Sequence, residues 1–361
     1  VSSFESIIDQ ERPVRILSTF LKKQTIPHAL LFTGIEGVGK KSAAMVFAMA
    51  CNCFGQAPEG DGNIQRDRLS PIDQPITTEP CSVCRSCRKI LSGNHPDVIH
   101  IEPSGPFIRI AQIRALCDTL AMKPYEAKLR VVIIENAQTM NPPAANALLK
   151  MLEEPPDRTI LILMAPQKAD LLPTIVSRCQ SIRFAPVTSK TITAMLNEEN
   201  NIDPEDTPVI AAMASGSKSR ALEMTRSGWI RWRNWLIAAS GLNRPESLPV
   251  RPPKMLLAFG EQLAKNKDLL SDSMETMITW LRDLIVCKYD PEKVINADLM
   301  DRLHAATSNI TTRSLLSKIE TIQAAQKDIR ANSNLRLSLE VMMLRLAKDC
   351  DKGSISEKMK M

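Results

Sequence analysis

The chain has 361 residues, 44% of them apolar, and a formal net charge of +6, enough length for two or three domains with real cores. No apolar run approaches the roughly 18 residues of a membrane span, and Val1-Ser2-Ser3-Phe4-Glu5 lacks a basic-then-apolar pattern, so a cytoplasmic protein without signal peptide or membrane contact is expected. The modest charge, with no dense Lys/Arg tract, permits contact with nucleic acid without demanding it.

In chain order, His28-Ala29-Leu30-Leu31-Phe32 reads as a buried strand and Lys41 to Cys51 as a helix. Residues 54–80 are rich in Gly, Pro, Asp and Gln and read as a surface insertion. Asp97 to Ile101 is a second strand. A helix follows over Ile110 to Met122, where Ile110, Ile113, Leu116, Cys117 and Leu120 recur at helical intervals. Strand Arg130 to Glu135, helix Pro142 to Glu154, strand Thr159 to Met164, a short helix ending near Ser177 and strand Gln180 to Phe184 complete the pattern. Strands alternating with helices predict a mostly parallel sheet covered on both faces.

After Pro186 the strands stop. Thr188 to about Ser240 reads as a small helical unit with a turn at Gly216-Ser217-Lys218-Ser219, and Trp229, Trp232 and Trp235 are expected on one packed helix face rather than as a nucleic-acid platform. Asn243 to Pro253 is a linker by its prolines. Met255 to Lys348 is helical, with Leu335, Leu337, Leu339, Met342 and Leu346 at amphipathic spacing, and the tail beyond Asp349 is expected to fray.

The first chemical signal is Gly34-Ile35-Glu36-Gly37-Val38-Gly39-Lys40, between a strand and a helix. Glycines let backbone N–H groups turn inward, and a helix N-terminus favours an anion, which is what a phosphate-binding loop needs. Lys40 is expected to reach the outer phosphates. The next position calls for Ser or Thr to hold magnesium, but Lys41 stands there. Ser42, one residue on, is rotated by about 100°. The strand ending at Ile134 delivers Glu135-Asn136 where an acidic pair is needed; Asn136 cannot accept a proton, and losing a general base costs roughly 10²–10⁴-fold in rate. At the end of the next strand, Met164-Ala165-Pro166, only Gln167 is at hand to sense a terminal phosphate. The loop survives while its catalytic partners are degraded, so ATP or ADP binding without hydrolysis is expected.

Of nine cysteines, Cys81, Cys84 and Cys87 form a C-x2-C-x2-C run, with Cys51 and Cys53 upstream. Cys117, Cys179, Cys287 and Cys350 stand singly, which is a poor disulfide framework. Three thiolates on one turn plus a fourth make a closed structural zinc site, with Zn–S distances of about 2.3 Å. Cys53 is the preferred fourth ligand and Cys51 the alternative.

Asn146-Ala147-Leu148-Leu149-Lys150-Met151-Leu152-Glu153-Glu154-Pro155-Pro156 is an amphipathic helix stopped by prolines, and Ser177-Arg178-Cys179 closes a later short helix. A lone arginine there ordinarily answers the helix C-terminus. As a functional group it can instead project into a neighbour's nucleotide site.

The phosphate loop, the cysteine run, the leucine helix string and Ser-Arg-Cys, in that order, resemble the bacterial clamp-loader subunits of DNA polymerase III, strongly over residues 1–186 and mainly in architecture afterwards. The eroded phosphate site resembles the delta-prime kind rather than the tau/gamma motor. That resemblance implies an α/β AAA+ P-loop core, a parallel sheet with flanking helices, over residues 1–186 with a zinc-binding insertion at 51–87. It implies a helical lid over 187–242 and an all-α collar over 254–350. It implies zinc on Cys53, Cys81, Cys84 and Cys87, and Arg178 as an arginine finger given to an adjacent motor. The implied partners are tau/gamma and delta subunits in a pentameric ring, the sliding clamp, and primed DNA. In the lid, Ser219 stands where motors carry an arginine, with Arg220 next. The competing readings are a hydrolysing motor of the same family, a branch-migration-type ring and a DNA-binding zinc module.

Overall fold

The strands of the first half are apolar at nearly every position, which suits a sheet buried on both faces. In the computed structural model, which describes residues 3–55, 76–198, 202–242, 252–307, 310–331 and 333–348, they form such a sheet. β1 (Ala29–Thr33), β2 (Val98–Ile101), β3 (Arg130–Ile134), β4 (Thr159–Ala165) and β5 (Gln180–Arg183) lie in the order β2-β3-β4-β1-β5. Every pairing is parallel. Each strand lies within one residue of its expected bounds.

Alternation along the strands sorts side chains to opposite faces. Leu30 and Phe32, Val131 and Ile133, and Ile160 and Ile162 join one cluster with α1 (Glu11–Lys23), α2 (Lys40–Asn52) and α3 (Arg85–Leu91). Leu31, Val132, Ile134, Leu161 and Leu163 join the other with α4 (Ile110–Leu120), α5 (Pro142–Glu153) and α6 (Pro173–Val176). This is the α/β AAA+ core that the sequence resemblance implied.

By internal packing the chain divides into a unit of Val1–Ile192 with Gly216–Arg220 and a unit of Thr193–Ser215 with Ala221–Met361. The helices that follow β5 are α7 (Ser189–Asn197), α8 (Thr207–Met213), α9 (Lys218–Arg226), α10 (Trp229–Ser240), α11 (Pro253–Lys265), α12 (Leu270–Val286), α13 (Met300–Thr307), α14 (Thr312–Arg330) and α15 (Leu335–Lys348). In the second unit a core around Trp280, Leu281 and Leu284 takes in Leu236, Phe259, Leu315, Leu339 and Met342. Leu337, two residues from Leu339 and so turned by about 200°, is exposed. No described helix is long and apolar enough to cross a membrane.

The tryptophans of α10 do not share one buried face. Positions three apart drift by about 60° per step. Trp229 is fully buried, while Trp232 stacks on Trp235 at 4.7 Å and Trp235 on Phe259 at 5.4 Å. The buried Arg233 guanidinium faces the Trp229 ring at 5.8 Å. It donates to Asn296 Oδ1 at 3.2 Å and forks onto both Asp298 oxygens, Nη1 to Oδ1 at 2.9 Å. Of the insertion expected at 54–80, residues 56–75 lie outside the described residues. So do 243–251 of the linker and the tail beyond residue 348.

Candidate functional site

The phosphate loop joins β1 to α2 as its motif requires. Gly34 N–H is held at the end of β4, donating to Pro166 O at 3.0 Å, and Gly39 caps α2. Gly37 (φ 77°) and Gly39 (φ 103°) take left-handed conformations that favour glycine. A side chain at Gly37 would also strike the turn 216–219, its Cβ falling 2.2 Å from Ser217 Oγ. Lys40 folds back on the loop itself, its ammonium donating to Gly34 O and, at 2.8 Å, to Ile35 O. Burial pulls its pKa down, against the attraction of Glu36.

Lys41, in the place of the magnesium-holding hydroxyl, reaches the end of the neighbouring strands. Its Nζ lies 2.7 Å from Glu135 Oε1 and 3.0 Å from Glu102 Oε1. Glu135 Oε1 is also 3.8 Å from His100 Nδ1. Burial opposes the charge on Lys41, but Glu135 and Glu102 outweigh it and hold the ammonium above the ordinary lysine value. Glu135 is likewise opposed by burial and drawn down by His100 and Lys41. A lysine side chain therefore already answers the carboxylate at the end of β3. Asn136 follows in a left-handed turn (φ 50°) on the surface, an ordinary place for asparagine. Ser42 lies in the first turn of α2, half-buried.

The second centre is built where α2 ends. Cys51, still in the helix, is fully buried in the core, and burial pushes its thiol far up. Cys53, just past the helix end in extended conformation, swings away from it. Its sulfur joins those of Cys81, Cys84 and Cys87, all four lying within 4.8 Å of one another. A zinc tetrathiolate needs sulfurs about 3.8 Å apart for Zn–S bonds of about 2.3 Å, so a small contraction closes the set. The surrounding backbone is arranged for anionic sulfur. Cys53 Sγ accepts from Gly55 N and Cys81 N at 3.3 Å each, Cys81 Sγ from Cys84 N at 3.3 Å, and Cys84 Sγ from Cys87 N at 3.4 Å. The Cys87 thiol hydrogen bond, with those N–H groups, holds Cys53 well below the usual thiol range, while the bond to Cys53 and burial push the Cys87 thiol up. The four cysteines can hold a metal ion, and the described cysteines are free thiols.

Arg178 follows α6 and is exposed, with 37% of its side chain accessible. Nη2 lies 2.7 Å from Glu153 at the end of α5, and Nη1 donates to Thr174 O at 3.0 Å. The guanidinium thus lies on the surface of its own unit, with a defined tether. The Glu102–Lys41–Glu135 cluster and the Glu153 tether were not legible in the sequence. Their members come from elements whose adjacency depends on strand order and helix placement.

Family comparisons agree with this architecture. The family model described as DNA polymerase III, delta subunit, matches residues 9–188, and the one for the C-terminal part of that delta family matches residues 251–348. The chain is 30% identical over 341 residues to DNA polymerase III subunit delta' of Bacillus subtilis (strain 168), covering 93% of this chain and 96% of that one. It is 28% identical over 371 residues to DNA polymerase III subunit tau of the same organism, covering 95% of this chain but 61% of tau. A solved DNA polymerase III gamma subunit-related protein from Thermotoga maritima aligns over 94% of this chain and 100% of its own, with 18% identity and a TM-score of 0.44.

Proposed function

Because the chain belongs to the DNA polymerase III delta-prime family of replication proteins, we propose that it is a non-hydrolysing clamp-loader subunit that gives Arg178 to a neighbouring motor. The observation that carries the reading is an asymmetry. Lys41 occupies Glu135 at 2.7 Å inside the chain's own phosphate site, while Arg178 is exposed on the surface. The first removes the metal-binding pair, and Asn136 removes the base. The second is a surface cation held by Glu153 at 2.7 Å, from which a partner's phosphates would recruit it, and an arginine supplied in trans is worth about 10³–10⁵ in rate.

In this reading residues 1–186 form the core, 187–242 a lid and 254–350 a collar that joins tau/gamma and delta subunits in a pentameric ring. The ring opens a sliding clamp on primed DNA in the cytoplasm. Cys53, Cys81, Cys84 and Cys87 hold a structural zinc ion, which when bound fixes the turn 81–87 to the end of α2. The loop Gly34–Lys40 holds ATP or ADP without turnover, Lys40 moving from its own carbonyls to the phosphates.

The test is reassembly of the loader with motor and delta subunits. The chain alone is expected to release no phosphate from ATP above background. Arg178→Ala is expected to leave assembly intact and to lower DNA-stimulated ATPase. Turnover by the isolated chain would favour the alternative of a tau/gamma-type motor. An unchanged rate with Arg178→Ala would remove the finger.

A further inference from the structure

The glycine loop runs into two lysines in succession. Lys40 opens α2, and Lys41 follows it on the same first turn. The Lys41 ammonium is held where two strand ends meet. Glu135 N donates to Ile101 O at 2.9 Å, which sets Glu135 beside Glu102, and Gln112 Nε2 donates to Glu102 O at 2.8 Å. Lys41 Nζ closes on both carboxylates, 2.7 Å from Glu135 Oε1 and 3.0 Å from Glu102 Oε1, while His100 Nδ1 stands 3.8 Å from the same Glu135 oxygen. Glu135 is the more enclosed of the two acids, with 18% of its side chain accessible.

A magnesium ion on a nucleotide needs oxygen ligands in a near-octahedral array at about 2.0–2.1 Å, commonly a loop hydroxyl and one or two carboxylates besides the phosphates. This donor set does not fit it. The residue after Lys40 carries an ammonium, which has three donors and no lone pair to give. An ion drawn to Glu135 or Glu102 meets that positive charge first. The same charge can do for a polyphosphate what the metal ordinarily does, which is to offset its anionic oxygens. We propose that the loop takes its nucleotide free of magnesium, with the Lys41 ammonium as the built-in cation in the place of the metal. This rests on the reading of Gly34–Lys40 as a nucleotide-binding loop and names its ligand class, a metal-free nucleoside di- or triphosphate.

The experiment is calorimetric titration of the full chain with ADP and ATP at matched ionic strength, with and without excess magnesium chloride. Divalent ions are removed from the nucleotide on a chelating resin rather than by a soluble chelator, so that the cysteine centre is undisturbed. Wild type is expected to bind the metal-free nucleotide, and excess magnesium to weaken binding on the order of tenfold, because it lowers the fraction of nucleotide in the competent form. Lys41→Thr, which supplies a hydroxyl and frees both carboxylates, is expected to reverse the sign, with magnesium tightening binding on the order of tenfold. Lys41→Arg keeps the cation and is expected to stay within about twofold of wild type. Lys40→Met is expected to lose binding in both conditions, which assigns the signal to the loop. Tighter binding by wild type with magnesium overturns the proposal and leaves the nucleotide reading intact, as does a Lys41→Thr response equal to wild type. No binding by wild type in either condition overturns both. The wild-type comparison stands without any variant.

Discussion

Asp97 offers a direct measure of how the core carries its sites, because one buried carboxylate organises the approach to Lys128 and β3. Its Oδ2 accepts from Glu126 N at 2.8 Å and Ala127 N at 2.9 Å, and Oδ1 accepts from Tyr125 N at 2.9 Å. Arg130 Nε is 3.7 Å away. Burial raises the Asp97 pKa, but the three backbone donors and Arg130 outweigh it, so the carboxyl is held below its ordinary range. In Asp97→Asn, the amide oxygen at the Oδ2 position keeps two bonds at neutral strength, while its NH₂ confronts Tyr125 N–H. One charge-assisted bond is lost, worth about 1.5–3 kcal/mol, and two weaken by about 1 kcal/mol each, so a loss of about 3–5 kcal/mol is expected at pH 7. Urea unfolding of both proteins, with hydrogen exchange at residues 125–127, measures it. A depressed carboxyl stabilises the fold above its unfolded pKa of about 3.9 and ceases to do so as pH falls through the lower folded value, so the gap between the two proteins must narrow below about pH 4. A loss under about 1 kcal/mol, or a gap unchanged in acid, would refute the reasoning.

Other outcomes follow from the same geometry. Lys41→Thr is expected to change stability by less than about 1 kcal/mol, since the ion pair is more than half exposed on the lysine side; it should not confer phosphate release, because Asn136 still stands in the base position. Cys53→Ala is expected to abolish metal retention by elemental analysis, whereas Cys51→Ala leaves it unchanged and costs only about 1 kcal/mol of stability from the small cavity. Asp298→Ala strands the buried Arg233, with Asn296 and Asn234 still bonded to it, so a loss of about 2–4 kcal/mol is expected in unfolding followed by Trp229 fluorescence.

The strands, α4 and α5, and the phosphate loop were legible because their signals are local: an apolar run, a 3.6-residue period, glycines between a strand and a helix. The same locality fixed Lys41 and Asn136 as departures, for an identity at a motif position needs no coordinates. The tryptophans show the limit, since a spacing of three is close to a helical repeat without being one, and only packing reveals which of them turns inward.

Sequence by itself thus determined the class of fold, the glycine loop with its departures at Lys41 and Asn136, and the three cysteines of the tight turn. Tertiary structure decided the rest. Cys53 rather than Cys51 reaches the cluster because the helix ends between them. Lys41 meets Glu102 and Glu135 because β2 and β3 are neighbours in the sheet, and Asn52 ties the end of α2 to Leu129, 77 residues on. In each case the deciding quantity is a distance between residues far apart in the chain, set by the one arrangement that buries both faces of the sheet.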